Sequence, residues 1–236
     1  MKKLLIMLAV GAFALMLPSV ASAEVKLPHG QILHVQRCSG TETVTGWTTA
    51  QGDSPLDTNA KAFVFTVTNG GCVVLFSHRS AELGVPVQGI RNLSFDFNES
   101  AYLGAGAPRI SVVMSNGLVA YLSAYYCNNP LAASGNTWGR ADFTGSTTTS
   151  SASCLFYDSS GTTYAATPTH TAWQAFVAAH PDLSVAQSFF VADEPATTQT
   201  LASGQYVIDR LTLGAKYMYD KSRTVGKFCG QNEAAC

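Results

Sequence analysis

Charged side chains are scarce in this chain of 236 residues: they make up 12% of it, with 14 Lys and Arg against 15 Asp and Glu. A chain without a basic excess lacks the electrostatic footprint of a protein that binds a phosphate polymer or anionic lipid, so we expect no nucleic-acid partner. Apolar runs of the roughly 20 residues that a transmembrane helix requires are also missing, so no membrane span is predicted.

Catalytic motifs are missing as well. The sequence contains no G-x-S-x-G turn, no H-E-x-x-H motif and no phosphate-binding loop of the Walker type. A carboxylate pair for glycoside hydrolysis would have to be assembled from Asp96, Glu99, Asp193, Glu194 or Asp209, and only geometry can decide that. We therefore predict no catalytic residue and favour a non-catalytic function.

The N-terminal stretch has the organisation of a secretory signal peptide. Lys2 and Lys3 precede an apolar run over 4–17, and Pro18 is followed by the small residues 21–23 of an A-x-A cleavage site. The sequence thus predicts a signal peptide over 1–23 and one mature β-sandwich domain over 24–236, secreted to the extracellular space or the periplasm.

Six cysteines follow the predicted cleavage site, in a compartment where thiols oxidise. Because no C-x-x-C pair occurs, we interpret them as structural disulfides rather than metal or redox ligands. Six cysteines allow fifteen connectivities, and proximity along the chain favours the pairs Cys38–Cys72, Cys127–Cys154 and Cys229–Cys236.

Segments with period-two hydrophobicity dominate the chain and are separated by clusters of Gly, Asn, Asp, Ser and Pro. They predict strands over 62–67, 72–77, 91–97, 109–115, 118–127, 189–191 and 205–213. One helix is predicted over 169–179, with Thr169 as its cap and Trp173, Phe176 and Val177 on one face. This pattern indicates an all-β antiparallel sandwich of jelly-roll or Greek-key type with one short peripheral helix.

The hairpin around Asn116 and Gly117 has two possible registers, and hydrophobicity selects one. A two-residue turn would mix polar and apolar side chains on both faces. A three-residue turn over 115–117, with Gly117 in the left-handed bulge position, places Ile110 opposite Leu122 and Val112 opposite Ala120. We therefore predict the bulged register, because a slip by one residue would turn a whole strand over.

The chosen register gives this hairpin a polar outer face. If the strand over 91–97 is its neighbour in one sheet, that face carries amides, hydroxyls, a carboxylate, a guanidinium and two tyrosine rings. Such a mixture suits a sugar, whose C–H patches stack on aromatic rings while polar groups bond its hydroxyls. The predicted glycan-binding residues are Tyr121, Tyr125, Asn92, Ser94, Asp96, Asn98, Arg109, Ser111 and Ser123. An ordinary solvated sheet face is the alternative.

No cofactor is predicted, although a structural calcium ion stays open. Asp209 alternates with apolar residues, so if buried it needs an arginine, backbone amides or a calcium ion as its partner. Asp53 and Asp57 lie in a loop-like segment and are the other candidate calcium ligands.

Three stretches carry a resemblance to a known class. Phe95-Asp96-Phe97, the Gly-Ala-Pro-Arg run at 106–109 and the strand-like run at 206–213 resemble secreted bacterial jelly-roll β-sandwich proteins similar to carbohydrate-binding modules. The resemblance spans roughly 60–215 and implies a jelly-roll fold that contacts glycans through a concave sheet face or the loops at its end. The N-terminal segment and the tail over 229–236 depart from the pattern.

The sequence therefore predicts a secreted, non-catalytic glycan-binding protein. Two alternatives from other classes stay open. One is an extracellular structural or envelope sandwich without a small ligand, and the other is a glycan hydrolase or lyase with two carboxylates facing each other across a cleft. The sequence does not predict the identity of the glycan or the oligomeric state.

Overall fold

The computed structural model describes residues 23–26, 32–38, 42–48, 62–67, 71–77, 84–98, 107–128, 138–145, 153–193, 204–214 and 218–219. Within these ranges the chain forms two antiparallel β-sheets, one α-helix and two short 3-10 turns. None of the helical segments in these ranges is long and apolar enough to cross a membrane.

The strands are short, as expected for segments bounded by turn-forming residues. In chain order they are β1 Ala23–Lys26, β2 Ile32–Arg37, β3 Thr43–Thr48, β4 Ala62–Thr66, β5 Val73–Ser77, β6 Leu93–Asn98, β7 Arg109–Met114, β8 Val119–Ser123, β9 Cys127–Asn128, β10 Trp138–Asp142, β11 Ser153–Asp158, β12 Thr163–Ala165, β13 Val185–Ala192, β14 Gln205–Leu213 and β15 Met218–Tyr219. The 3-10 turns span Val87–Gly89 and Ala124–Tyr126, and the helix α1 spans Ala172–Ala179.

The strands form a nine-stranded and a six-stranded sheet. The first has the order β1-β2-β5-β13-β7-β8-β11-β12, with β9 also pairing with β11, and the second has the order β10-β6-β14-β4-β3, with β15 on β14. Their inner faces share one core, in which the Phe190 ring meets Phe65 and Phe95 edge-on, with ring centroids 6.1 and 5.2 Å apart. The predicted all-β sandwich is confirmed.

The predicted register of the β7–β8 hairpin is also confirmed. Ile110 lies opposite Leu122 and Val112 opposite Ala120, and all four side chains are buried in the core. Gly117 closes the turn with φ +87°, and its N–H donates to the carbonyl three residues earlier over 2.9 Å. The left-handed backbone explains why glycine occupies this position.

Replacing Gly117 by alanine should lower the free energy of unfolding by about 1 kcal/mol, because a Cβ atom is strained at positive φ. A Cβ here would meet nothing within 4 Å, so the expected effect comes from the backbone and not from a clash. Urea denaturation of Gly117→Ala and Gly117→Asn tests this, since asparagine tolerates the left-handed region better. An alanine variant at least as stable as the asparagine variant would contradict the assigned turn.

Helix α1 begins later than the sequence predicted. Its cap is Thr171 and not Thr169, because Thr171 forms a capping box with Gln174: its hydroxyl accepts from the Gln174 N–H (3.1 Å), and its own N–H donates to Gln174 Oε1 (2.8 Å). Trp173 and Phe176 are buried on the predicted apolar face. The helix therefore joins the core through that face, as expected.

A buried tyrosine fixes the end of α1 to the β11–β12 hairpin. The Tyr164 hydroxyl donates to Asp158 Oδ2 over 2.9 Å and lies 2.8 Å from Nε2 of His180, the residue at the C-terminal cap of the helix. Burial raises the pKa of Tyr164 to about 12, and the hydrogen bond to Asp158 acts in the same direction. Tyr164 thus has a structural role with its hydroxyl fully used.

Two of the three predicted disulfides are confirmed. Cys38 bonds to Cys72 and Cys127 bonds to Cys154, with Cα atoms 5.0 and 4.1 Å apart. The second bridge joins directly opposed residues of β9 and β11. Cys229 and Cys236 lie outside the described residues, so their pairing stays a prediction.

Candidate functional site

The predicted glycan-binding residues separate into two groups on different sheets. One group lies on the outer face of the nine-stranded sheet, along β7, β8 and the adjoining 3-10 turn: Arg109, Ser111, Tyr121, Ser123 and Tyr125. The other lies on or just before β6 in the six-stranded sheet: Asn92, Ser94, Asp96 and Asn98. The condition that the strand over 91–97 neighbours the hairpin in one sheet is not met, because β6 pairs with β10 and β14.

The polar residues of β6 are buried, so the prediction that they face solvent is wrong. Ser94, Asp96 and Asn98 are 3%, 0% and 6% exposed, whereas Asn92 is exposed. Their polar groups are used within the protein: Asp96 accepts from Arg140 Nη1 over 2.7 Å and lies 3.6 Å from Arg210 Nη1. Period-two alternation separates the two faces of a strand, but it does not reveal that both faces are covered.

Apolar side chains complete the outer face of the six-stranded sheet. Trp138 lies opposite Asn98 and belongs to a small buried cluster with Ala62, Val64 and Val207. Trp138 is only 3% exposed. Within the part of the chain that the structure describes, this face is therefore a second, smaller core with polar groups beside it, and these buried side chains offer no surface to a ligand.

The two carboxylates that meet in this region do not face an open cleft. Asp209 lies opposite Asp96 on neighbouring strands, and the two are 1% and 0% exposed. One Asp209 oxygen accepts from the N–H of Arg210 over 2.8 Å, so a backbone amide is among the partners that this buried aspartate requires.

The outer face of the nine-stranded sheet carries four neighbouring tyrosines, which we call the tyrosine row: Tyr121, Tyr157, Tyr126 and Tyr125. Tyr121 lies opposite Tyr157 on adjacent strands. The Tyr126 ring is 5.1 Å from Tyr157 and 5.0 Å from Tyr125, at interplanar angles of 72° and 89°. Tyr125 is 49% exposed and the other three are partly exposed. Three of the rings are thus in contact, and Tyr121 extends the row onto the neighbouring strand.

Sequence reasoning missed Tyr126 and Tyr157. The predicted strand over 118–127 would alternate straight through Tyr125 and turn Tyr126 inward. Instead the chain forms a 3-10 turn after Ser123, whose hydroxyl accepts from the Tyr125 N–H over 3.3 Å, and both tyrosines join the outer face. Tyr157 could have been found from its alternation with Phe156 and Asp158 in the strand-like run before a Ser-Ser-Gly turn.

The two serines of the predicted site support the row and do not face solvent. Ser111 and Ser123 are 2% and 1% exposed, so the expectation that their hydroxyls face solvent is wrong. Ser111 accepts from Arg109 Nε over 3.3 Å, and Ser123 holds the turn that carries Tyr125. Long neighbouring side chains cover small ones on a sheet face, which a strand pattern does not show.

Arg109 borders the tyrosine row with its charge already paired. Its Nη1 donates to Asp193 Oδ1 over 2.7 Å in a two-pronged ion pair, and its guanidinium lies 5.8 Å from the centroid of the Tyr121 ring. The side chain is 15% exposed. Arg109 therefore positions Tyr121 and adds no net charge beside the row.

All four hydroxyls of the tyrosine row lack a hydrogen bond to any described residue. The Tyr164 hydroxyl, by contrast, has two hydrogen-bond partners, Asp158 and His180. Burial raises the pKa of Tyr126, and the nearby Tyr157 and Tyr125 add to the shift, so its hydroxyl stays protonated at neutral pH and can donate. The row thus offers aromatic faces together with free donors and acceptors.

A shallow pocket of about 250 Å³ opens at the Tyr125 end of the row. Its wall is formed by Tyr125 and Tyr126, the Cys127–Cys154 disulfide, Leu155, Ala165 and Ala166. None of these side chains is charged.

No metal centre is found among the described residues, where no three His, Cys, Asp or Glu side chains are grouped to hold an ion. Asp53 and Asp57, two of the candidate calcium ligands, lie outside those ranges.

Comparison with known proteins gives no relatives: the chain matches no family model, no curated protein and no solved structure.

Proposed function

We propose that this protein is a secreted, non-catalytic glycan-binding protein whose binding surface is the tyrosine row. The observation that carries the proposal is a group of four neighbouring, at least partly exposed tyrosines on one sheet face, whose hydroxyls have no hydrogen bond to any described residue. The predicted signal peptide and the two disulfides support an extracellular location.

The chemistry of the row suits a sugar chain. A pyranose ring presents C–H patches that stack on an aromatic ring, while its hydroxyls require donors and acceptors at the edge of the contact. Tyrosine supplies both from one rigid side chain with little loss of conformational entropy. Neighbouring strands lie about 4.8 Å apart, so tyrosines on adjacent strands can contact successive parts of one extended ligand.

The electrostatics of the face favour a neutral glycan. The charge of Arg109, the cation bordering the row, is balanced by Asp193. The row itself contains only tyrosines. A uronic acid or sulfated sugar would therefore lose its hydration at this surface without gaining an ionic partner.

A Tyr121→Ala, Tyr125→Ala double variant should bind polysaccharide at least about tenfold more weakly than the wild type, because each ring contributes on the order of 1 kcal/mol. A glycan array identifies the ligand, and pull-down with that polysaccharide measures the affinity. Equal binding by both proteins would remove the tyrosine row as the binding surface.

Gln187→Ala is the matched control for this experiment. Gln187 is exposed on the same sheet face, but it lies on β13 opposite Val113, away from the tyrosines. This variant should bind as the wild type does. A loss as large as that of the double variant would indicate a different contact region.

A further inference from the structure

The pocket at the end of the tyrosine row differs from the row in its chemistry. The row presents four hydroxyls, whereas the other residues that line the pocket have apolar side chains: the Cys127–Cys154 disulfide, Leu155, Ala165 and Ala166. The Ala166 N–H beside the pocket donates to the Cys154 carbonyl over 3.1 Å, and Leu155 lies opposite Ala165 on the neighbouring strand. The pocket thus combines aromatic edges with an apolar wall.

This wall restricts what can enter. A charged group would be desolvated without a counter-ion, and a sugar hydroxyl would lose hydrogen bonds to water that alkyl and sulfur atoms cannot replace. A methyl group has neither penalty and gains by leaving water. The chemistry of the wall therefore selects an apolar substituent.

Two rings of the tyrosine row, Tyr125 and Tyr126, form part of the pocket, so a sugar stacked on them has a substituent near it. Tyr125 and Tyr126 are perpendicular, at 89°, so the row is not flat where it reaches the pocket. Both rings line the pocket together with Leu155 and Ala165, so a sugar stacked on either ring lies beside the pocket. The hydroxyls of both tyrosines remain available to polar atoms near the rim.

We propose that the pocket binds the methyl end of an acetamido group, so that the ligand is a neutral glycan containing N-acetylhexosamine. This inference rests on the proposed glycan-binding function and specifies its substrate class. The amide N–H and carbonyl of the substituent lie at the rim, where phenolic hydroxyls can accept and donate, while its methyl group contacts the alanines and the disulfide. A 6-deoxysugar offers the same methyl chemistry, and the experiment separates the two.

Titration calorimetry with two oligosaccharides tests the proposal. β-1,4-linked oligomers of N-acetylglucosamine and of glucose, matched in length, share their linkage and ring stereochemistry and differ in the substituent at C2. We expect the wild type to bind the acetylated oligomer about tenfold more tightly, because a methyl group is buried and an amide is bonded.

Ala165→Leu fills the pocket from the outer face of the edge strand β12, where the exposed alanine tolerates a larger side chain. This variant should lose the tenfold preference and bind the two oligomers with about equal affinity. Thr163→Leu is the matched control: it is exposed on the same face of the same strand, two residues away, and does not line the pocket. It should keep the preference.

The outcomes separate the two proposals. Equal affinity of the wild type for both oligomers, with loss of both in the Tyr121→Ala, Tyr125→Ala variant, would overturn the acetamido pocket and leave the glycan-binding function in place. A preference for a fucose-bearing oligosaccharide over the acetylated oligomer would also overturn the acetamido assignment. Binding of no glycan on the array would overturn the proposed function itself.

Discussion

Replacing Arg140 by methionine is expected to lower the free energy of unfolding by about 3–5 kcal/mol, because it leaves the buried Asp96 carboxylate without its nearest cation. Arg140 Nη1 donates to Asp96 over 2.7 Å, and its Nη2 donates to Ser94 over 3.0 Å. The Asp96 side chain is fully buried, whereas Arg140 is 17% exposed. Urea denaturation at neutral pH measures the loss.

Arg109→Met is the matched control for this prediction. It removes the same type of ion pair, but the partner Asp193 has a side chain that is 36% exposed and can be solvated once the arginine is gone. We expect a loss of about 1 kcal/mol or less. Similar losses for the two variants would contradict the view that burial of the carboxylate decides the stability of these pairs.

Removing the Cys127–Cys154 disulfide in a Cys127→Ala, Cys154→Ala variant should lower the free energy of unfolding by about 3–4 kcal/mol. The bridge closes a loop with a sequence separation of 27, so its loss increases the entropy of the unfolded chain. It also forms part of the pocket wall and directly follows the turn that carries Tyr125 and Tyr126. Glycan affinity should therefore fall too, even at temperatures where the variant is folded.

A variant that lacks the other confirmed disulfide distinguishes the effect on stability from the effect on glycan affinity. Cys38–Cys72 spans a similar separation of 34, so a Cys38→Ala, Cys72→Ala variant should lose a similar amount of stability. This bridge joins the end of β2 to the start of β5, away from the tyrosine row. Calorimetric titration of both variants with the glycan, below their unfolding temperatures, shows whether only the Cys127→Ala, Cys154→Ala variant binds more weakly. Equal weakening of binding by both variants would argue against a local role for Cys127–Cys154.

Hydrophobic alternation predicted those parts of the fold in which one face is apolar and the other is not. The β7–β8 register is an example, since a slip by one residue would have exposed Leu122 and buried polar side chains. The Cys127–Cys154 pairing also followed, because the two cysteines bracket one loop. The local hydrophobic pattern is sufficient to predict a strand register where the alternative registers differ strongly in the side chains that they bury.

The placement of β6 shows where this reasoning ends. Ser94, Asp96 and Asn98 have the composition of a solvated face, and only the tertiary structure brings Arg140 and Arg210 to Asp96 and covers all of them. The tyrosine row was found only in part for a related reason. Its members come from β8, β11 and a turn, and neither the strand order nor the end of β8 at Ser123 can be read from a period-two pattern.

Both sheets have at their centre a strand from the last third of the chain. β13, Val185–Ala192, separates β5 from β7, and β14, Gln205–Leu213, separates β4 from β6. During synthesis, β5 and β7 and also β4 and β6 therefore emerge before the strand that separates them, and their edges stay open to wrong pairing until β13 and β14 have been made. Assembly of both sheets therefore depends on pairing between strands that are distant in the sequence, which slows folding relative to a sheet of consecutive hairpins.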